Sequence, residues 1–135
     1  MPANRGPVAP RLVVATPPRQ VHEFGALMVA TSAAGEGWAV TYLGPDLPVA
    51  DLVSAVRQTG ARAVALSAVY VPEGADLLTA LREMRAGLPE RVPLLVGGAA
   101  TSEIAAEAEA AGARVIASLP ELRAMLRRLV AEEME

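Results

Sequence analysis

Five short apolar runs divide the chain, and a segment of helical period follows each one. The runs are Arg11–Ala15, Ala39–Leu43, Ala63–Val69, Pro93–Val96 and Arg114–Ala117. They are apolar throughout rather than alternating, which predicts strands buried on both faces. The segments between them carry apolar stripes: Phe24, Leu27, Met28, Thr31 and Ala34; then Val49, Leu52, Val53 and Val56; then Leu77, Leu78, Leu81 and Met84. Two more follow, at Ile104, Ala105, Ala108 and Ala111 and at Leu122, Met125, Leu126 and Leu129. Gly60, Gly87 and Gly112 each close a helical run, Ser102 with Glu103 marks a helix start, and Asp51 supports the first turn of the second helix. Strict alternation of strand and helix leaves little topological choice, because parallel strands need right-handed crossovers that place helices on both sheet faces. The expected fold is α/β: a flavodoxin-like, Rossmann-type three-layer domain with a five-stranded parallel sheet, order 2-1-3-4-5, and about five helices. Residues 1–10 read as a loose tail and residues 11–135 as one domain.

Composition narrows the chemistry. The chain has no Cys, so disulfides, thiolate nucleophiles and cysteine metal sites are excluded. It has a single histidine, His22, and all 12 of its basic residues are Arg, which excludes a Schiff-base or phosphate-loop lysine. A net charge of −3 offers no broad basic footprint, so direct nucleic-acid binding is not expected. No apolar run is long enough to span a membrane and no signal-peptide pattern opens the chain, so a cytoplasmic location is expected.

In an open α/β sheet ligands bind beyond the carboxyl ends of the strands. A phosphoacceptor site needs carboxylates and a lysine there, but the corresponding positions are Thr16, Ser67 and Ser118. A flavin site needs a hydroxyl-rich first loop and aromatic walls; the loop here runs Pro17-Pro18-Arg19-Gln20, and aromatics are 3% of the chain. A dinucleotide site needs Gly-x-Gly-x-x-Gly directly after the first strand, and Gly35 and Gly37 come only after a helix. What remains is His22 after the first strand, Leu43-Gly44 at the end of the second, Ser67 at the third and Gly97-Gly98 at the fourth. Adjacent glycines admit close approach to the backbone, and a strand-end hydroxyl offers one directed hydrogen bond. A lone imidazole cannot hold a free metal ion tightly, but it suffices as one axial ligand to a metal already held by a macrocycle.

These residues resemble the signature of cobalamin-binding domains, such as those of cobalamin-dependent mutases, methyltransferases and light-sensing MerR-type repressors. The family pattern Asp-x-His-x-x-Gly, Ser-x-Leu and Gly-Gly reads here as Gln20-Val21-His22-Glu23-Phe24-Gly25, Ser67-Ala68-Val69 and Gly97-Gly98. The stretch from Gly37 to Pro48 looks most like the regulatory, light-sensor branch. The resemblance implies cobalamin as cofactor, in its adenosyl, methyl or hydroxo form. It implies that His22 displaces the dimethylbenzimidazole base and ligates cobalt from below. It further implies that Gly25 lets a helix start close to the corrin and that Ser67 bonds the displaced base, with Val69 and Tyr70 lining its slot. Gly97 and Gly98 would make room for the nucleotide tail, and the loop at Ser118 and Leu119 would close over it. Leu43 and Gly44 complete the expected cofactor-binding set.

Two departures from the family accompany the match. Gln20 replaces the acid two residues before the histidine; a neutral amide orients an imidazole more weakly than a carboxylate. Glu23 is the nearest acid in sequence. In the sensors and methyltransferases a helical bundle precedes this domain and caps the upper corrin face. Ten tail residues cannot supply one, so that face is expected to be open or covered by a protein partner or a second copy. The expected role is a stand-alone corrinoid-binding module, sensory or regulatory and without catalytic activity of its own. The alternatives are a cobalamin-carrying subunit of a mutase or methyltransferase and a non-binding interaction module. Trp38 and Tyr42 read as packing residues, the methionines at helical spacing as core, and Arg123, Arg127 and Arg128 as a solvated face.

Overall fold

The computed structural model describes residues 8–69 and 74–134. Strands β1 (Arg11–Ala15), β2 (Ala39–Gly44), β3 (Ala63–Ser67), β4 (Leu94–Gly97) and β5 (Ala113–Ile116) form one parallel sheet in the order β2-β1-β3-β4-β5. Helices α1 (Phe24–Gly35), α2 (Val49–Thr59), α3 (Gly74–Gly87), α4 (Ala105–Ala110) and α5 (Leu119–Met134) connect and flank it. The flavodoxin-like architecture and strand order expected from the alternating pattern are those observed.

Period-two alternation along the strands divides the core into two layers. Val13, Val64, Leu66, Leu94 and Val96 face α2, α3 and α4, meeting Leu52, Val56, Leu81, Met84 and Ala108. Leu12, Val14, Ala65 and Leu95 face α1 and α5, meeting Ala26, Ala33, Leu122, Leu126 and Leu129. Each large side chain buried in this way stabilises the fold by about 1.5–3 kcal/mol. Trp38 packs in the second layer, as a packing residue should.

Several local expectations are corrected. β3 ends at Ser67, two residues before the end of its apolar run, and β4 extends to Gly97. The edge strands β2 and β5 are only partly buried, because each has one neighbour instead of two. Gly60 closes α2 in the left-handed region at φ 65°. Gly87 is the last residue of α3 and is not among the positive-φ positions. Ser102 starts no helix: its hydroxyl donates to the Ala99 carbonyl within a 3-10 turn over Ala99–Ser102, and α4 begins at Ala105.

The largest correction concerns α1. The stripe expected in the core points outward: Phe24 is 74% exposed, Leu27 44% and Met28 39%. The buried face is built from Ala26 and Ala33, with Val29 and Ala30 beside them. α1 carries no charged residue, so its apolar positions run all round and periodicity alone could not choose a face. Small residues won the buried side because they bring the helix close to the sheet.

Candidate functional site

The carboxyl ends of the strands finish level with one another. Register pairs Ala15 with Gly44 and Leu66, Ser67 with Gly97, and Gly97 with Ile116. The β1–α1 loop, residues 16–23, crosses this edge and is fastened by a web of hydrogen bonds. Thr16 is fully buried, and its hydroxyl donates to the Gln20 carbonyl while accepting the Asp46 N–H at 2.7 Å. The Asp46 N–H also reaches the Gln20 carbonyl at 3.0 Å, and the Arg19 N–H donates to Asp46 Oδ1 at 2.8 Å. Arg19 and Asp46 sit at φ 71° and 56°, conformations that non-glycine residues rarely adopt and that need such support.

Gln20 is 4% exposed, and its side-chain oxygen accepts the Val69 N–H at 3.1 Å. The amide thus ties the β1–α1 loop to the chain leaving β3. His22 is exposed on the loop, and no side chain among the described residues hydrogen-bonds its imidazole. Glu23 follows at the start of α1. It makes no side-chain cap; its carboxylate instead accepts the Tyr42 hydroxyl at 2.5 Å, a charge-assisted distance. Burial, and then this carboxylate, push the Tyr42 phenol up to about 12.

Beneath α1 lies a cavity of about 180 Å³, lined mainly by apolar atoms. A water molecule needs about 10–15 Å³ on this measure, so the space suits an organic group. Its walls bring together Gly25 and Met28 of α1, Ser67 of β3, Gly97 at the end of β4 with Gly98 after it, and Ser118, Leu119 and Leu122 at the start of α5. Its glycines stand where neighbouring protein atoms leave no room for a side chain. A Cβ on Gly25 would lie 2.6 Å from Ser67 Oγ, and one on Gly97 would lie 2.9 Å from the Ile116 carbonyl oxygen. Gly98 adopts φ 110°, and a Cβ there would lie 2.3 Å from the Ala68 carbonyl oxygen. Its own carbonyl accepts both the N–H and the hydroxyl of Thr101. The Ser118 hydroxyl accepts the Glu121 N–H at 3.2 Å at the start of α5 and keeps its own O–H to donate.

The expected site residues therefore fall into two groups. Gly25, Ser67, Gly97, Gly98, Ser118 and Leu119 share one cavity. Gln20, His22 and Glu23 stand on the loop beside it, with Val69 exposed at the end of the Gln20 bond. Tyr70 lies outside the described residues. Leu43 and Gly44 are not cavity residues: Leu43 packs against the α2-side core, and Gly44 is a buried anchor whose carbonyl accepts the Thr16 N–H at the register shift between β1 and β2. The sequence reading missed Met28 and Leu122 as lining residues; their helical spacing from Gly25 and Leu119 was the available signal. It also took Tyr42 for packing alone. The ring does pack on the α1 side, but its hydroxyl reaches Glu23. Arg127, read as solvated, holds Glu36 through two hydrogen bonds of 2.8 and 2.9 Å, joining α5 to the end of α1.

Most of the chain matches known proteins. The profile of the B12 binding domain family matches residues 10–127. The chain is 34% identical over 120 residues to the HTH-type transcriptional repressor CarA of Myxococcus xanthus, covering 88% of this chain and 41% of that protein. It is 36% identical over 97 residues to ethylmalonyl-CoA mutase of Methylorubrum extorquens, covering 70% of this chain and 14% of the mutase. The chain thus spans less than half the length of these curated relatives. Among solved structures, a cobalamin-binding protein from Desulfitobacterium hafniense superposes with a TM-score of 0.74 at 25% identity, over 89% of this chain and 58% of that one.

Proposed function

Because the chain belongs to the B12 binding domain family, we propose that it binds a corrinoid with the nucleotide tail seated in the cavity beneath α1 and His22 as the lower axial ligand to cobalt. The observation that carries this reading is the cavity itself. Three glycines line its walls where a Cβ would meet Ser67 Oγ, the Ile116 carbonyl and the Ala68 carbonyl. A largely apolar slot with the Ser67 hydroxyl at one wall fits a planar aromatic base that has a single acceptor nitrogen. The residues present therefore fit the group. Ser67 would bond the base, Gly97 and Gly98 would admit the tail, and Leu119 would close the slot. His22, free of other side-chain bonds among the described residues, has an imidazole nitrogen to offer the metal. When bound, the corrinoid supplies a cobalt centre whose upper ligand can be exchanged or cleaved.

The chain's own contribution is binding and orientation. In this reading the Glu23–Tyr42 bond is a tether, and chemistry on a substrate would be completed outside these residues. The 34% identity to a transcriptional repressor over 120 residues favours a sensory or regulatory module acting through a partner or through self-association. The 36% identity to a mutase over 97 residues keeps a second reading: a corrinoid carrier whose chemistry is completed elsewhere.

The test is retention of hydroxocobalamin and adenosylcobalamin through gel filtration, followed by an absorption spectrum before and after illumination. Retained corrinoid supports the binding module, and a light-dependent change in its spectrum or in oligomeric state supports the regulatory reading over the carrier. Failure to retain either form would leave an interaction module of the same fold.

A further inference from the structure

Val21 and His22 are the only two residues between the two fastened points of the β1–α1 loop. On one side is Gln20, whose carbonyl accepts the N–H of Asp46, just beyond β2. On the other is Glu23, whose carboxylate accepts the hydroxyl of Tyr42, within β2. Tyr42 pairs in register with Val14 of β1, and its ring packs on the α1 side of the sheet. The Glu23 backbone carbonyl meanwhile accepts the Leu27 N–H at 2.9 Å and so begins α1. Glu23 therefore joins the start of a helix to an edge strand, one residue after the imidazole.

We propose that Glu23 and Tyr42 form a positioning pair that holds the His22 backbone in its ligating position before corrinoid arrives. This rests on the reading of His22 as the axial ligand. Glu23 does not need its carboxylate for helix capping, since Leu27 is served by its backbone and no side-chain cap forms. The phenol is fixed to a strand, so the tether ends on a rigid element. Ordering a loop before the ligand binds removes that cost from the binding step. Groups that orient a metal-binding imidazole typically change metal affinity by about 10- to 100-fold.

The experiment compares the wild type with Tyr42→Phe, Glu23→Ala and Glu23→Gln. It measures hydroxocobalamin affinity and the absorption spectrum of the bound fraction, with Trp38 fluorescence reporting the fold. Tyr42→Phe and Glu23→Ala should each weaken binding by about tenfold or more, with no added loss in the double variant. The corrinoid they bind should show a mixture of histidine-ligated and unligated spectra. Glu23→Gln keeps an acceptor oxygen and should recover part of the loss. Unchanged affinity in Tyr42→Phe would overturn the proposal, as would weakened binding in which the bound fraction stays wholly histidine-ligated. If the wild type itself binds no corrinoid, or binds it without histidine ligation, the axial-ligand reading falls and the proposal falls with it. A histidine-ligated wild type with an indifferent Tyr42→Phe removes the positioning pair alone.

Discussion

Ser67 Oγ lies where a side chain on Gly25 would begin: a Cβ built on Gly25 falls 2.6 Å from it. The first turn of α1 is thereby held directly against the end of β3, and the cavity runs on from that contact. Gly25→Ala should therefore destabilise the fold by about 1–3 kcal/mol through overpacking. Ser67→Ala removes the obstructing atom and leaves the Ser67 Cβ at an ordinary 3.8 Å. The double variant should recover most of the loss, helped by the better helix propensity of alanine. A denaturation double-mutant cycle reads this directly; strictly additive changes would mean that the two residues do not meet.

Gly98 offers no such relief. Its obstruction is the backbone oxygen of Ala68, and its φ of 110° is unfavourable to any side chain. Gly98→Ala should cost about 3 kcal/mol or more, and no substitution at residue 68 should rescue it. Thermal unfolding of Gly98→Ala alone and with Ala68→Gly checks this, and rescue by the second change would contradict the backbone origin of the clash.

The outward stripe of α1 predicts an unusual tolerance. Leu27→Gln, at a position expected to be core from spacing, should shift stability by no more than about 0.5 kcal/mol. Leu126→Ala, fully buried in α5, should cost about 2–5 kcal/mol. Urea titrations of the two variants would separate the cases, and a large loss in Leu27→Gln would return the stripe to the core.

This contrast shows what was legible in the sequence. The strands were readable because β1, β3 and β4 are flanked on both sides and so are apolar at all but their end positions. The orientation of α1 was not, because a helix without charges carries no polar face to mark the outside. Gly25, Ser67, Gly97, Gly98 and Ser118 were found together because strand order brings their loops to one edge. Leu43 and Gly44 stand outside that cavity, because a strand-end position does not reveal which side of the edge strand holds it. The Glu23–Tyr42 bond joins residues from different elements, and no local pattern announces it.

Tyr42 gives a pH signature. In a Tyr70→Phe background it is the one remaining tyrosine. Its ionisation, followed by tyrosinate absorbance, should be delayed from about 10 to about 12, chiefly by burial and then by Glu23. A phenol whose proton is held more tightly in the folded chain stabilises it below the unfolded ionisation near 10.0, and loses that contribution as pH rises toward about 12. Glu23→Gln should bring the midpoint partway back. Ionisation near 10 in the intact chain would contradict the partly buried, carboxylate-paired phenol.

The central claim is that His22 ligates cobalt, and a single histidine makes it directly testable. Growth on ¹⁵N-histidine labels only His22 among the side chains that carry an imidazole. The protein is then loaded with hydroxocobalamin, reduced to the cobalt(II) state and examined by electron paramagnetic resonance. Ligation by His22 predicts that the axial-nitrogen splitting changes from a triplet in unlabelled protein to a doublet in labelled protein, and that it is lost in His22→Ala. A triplet that persists in the labelled protein would assign the axial nitrogen to the corrinoid's own base and contradict the account.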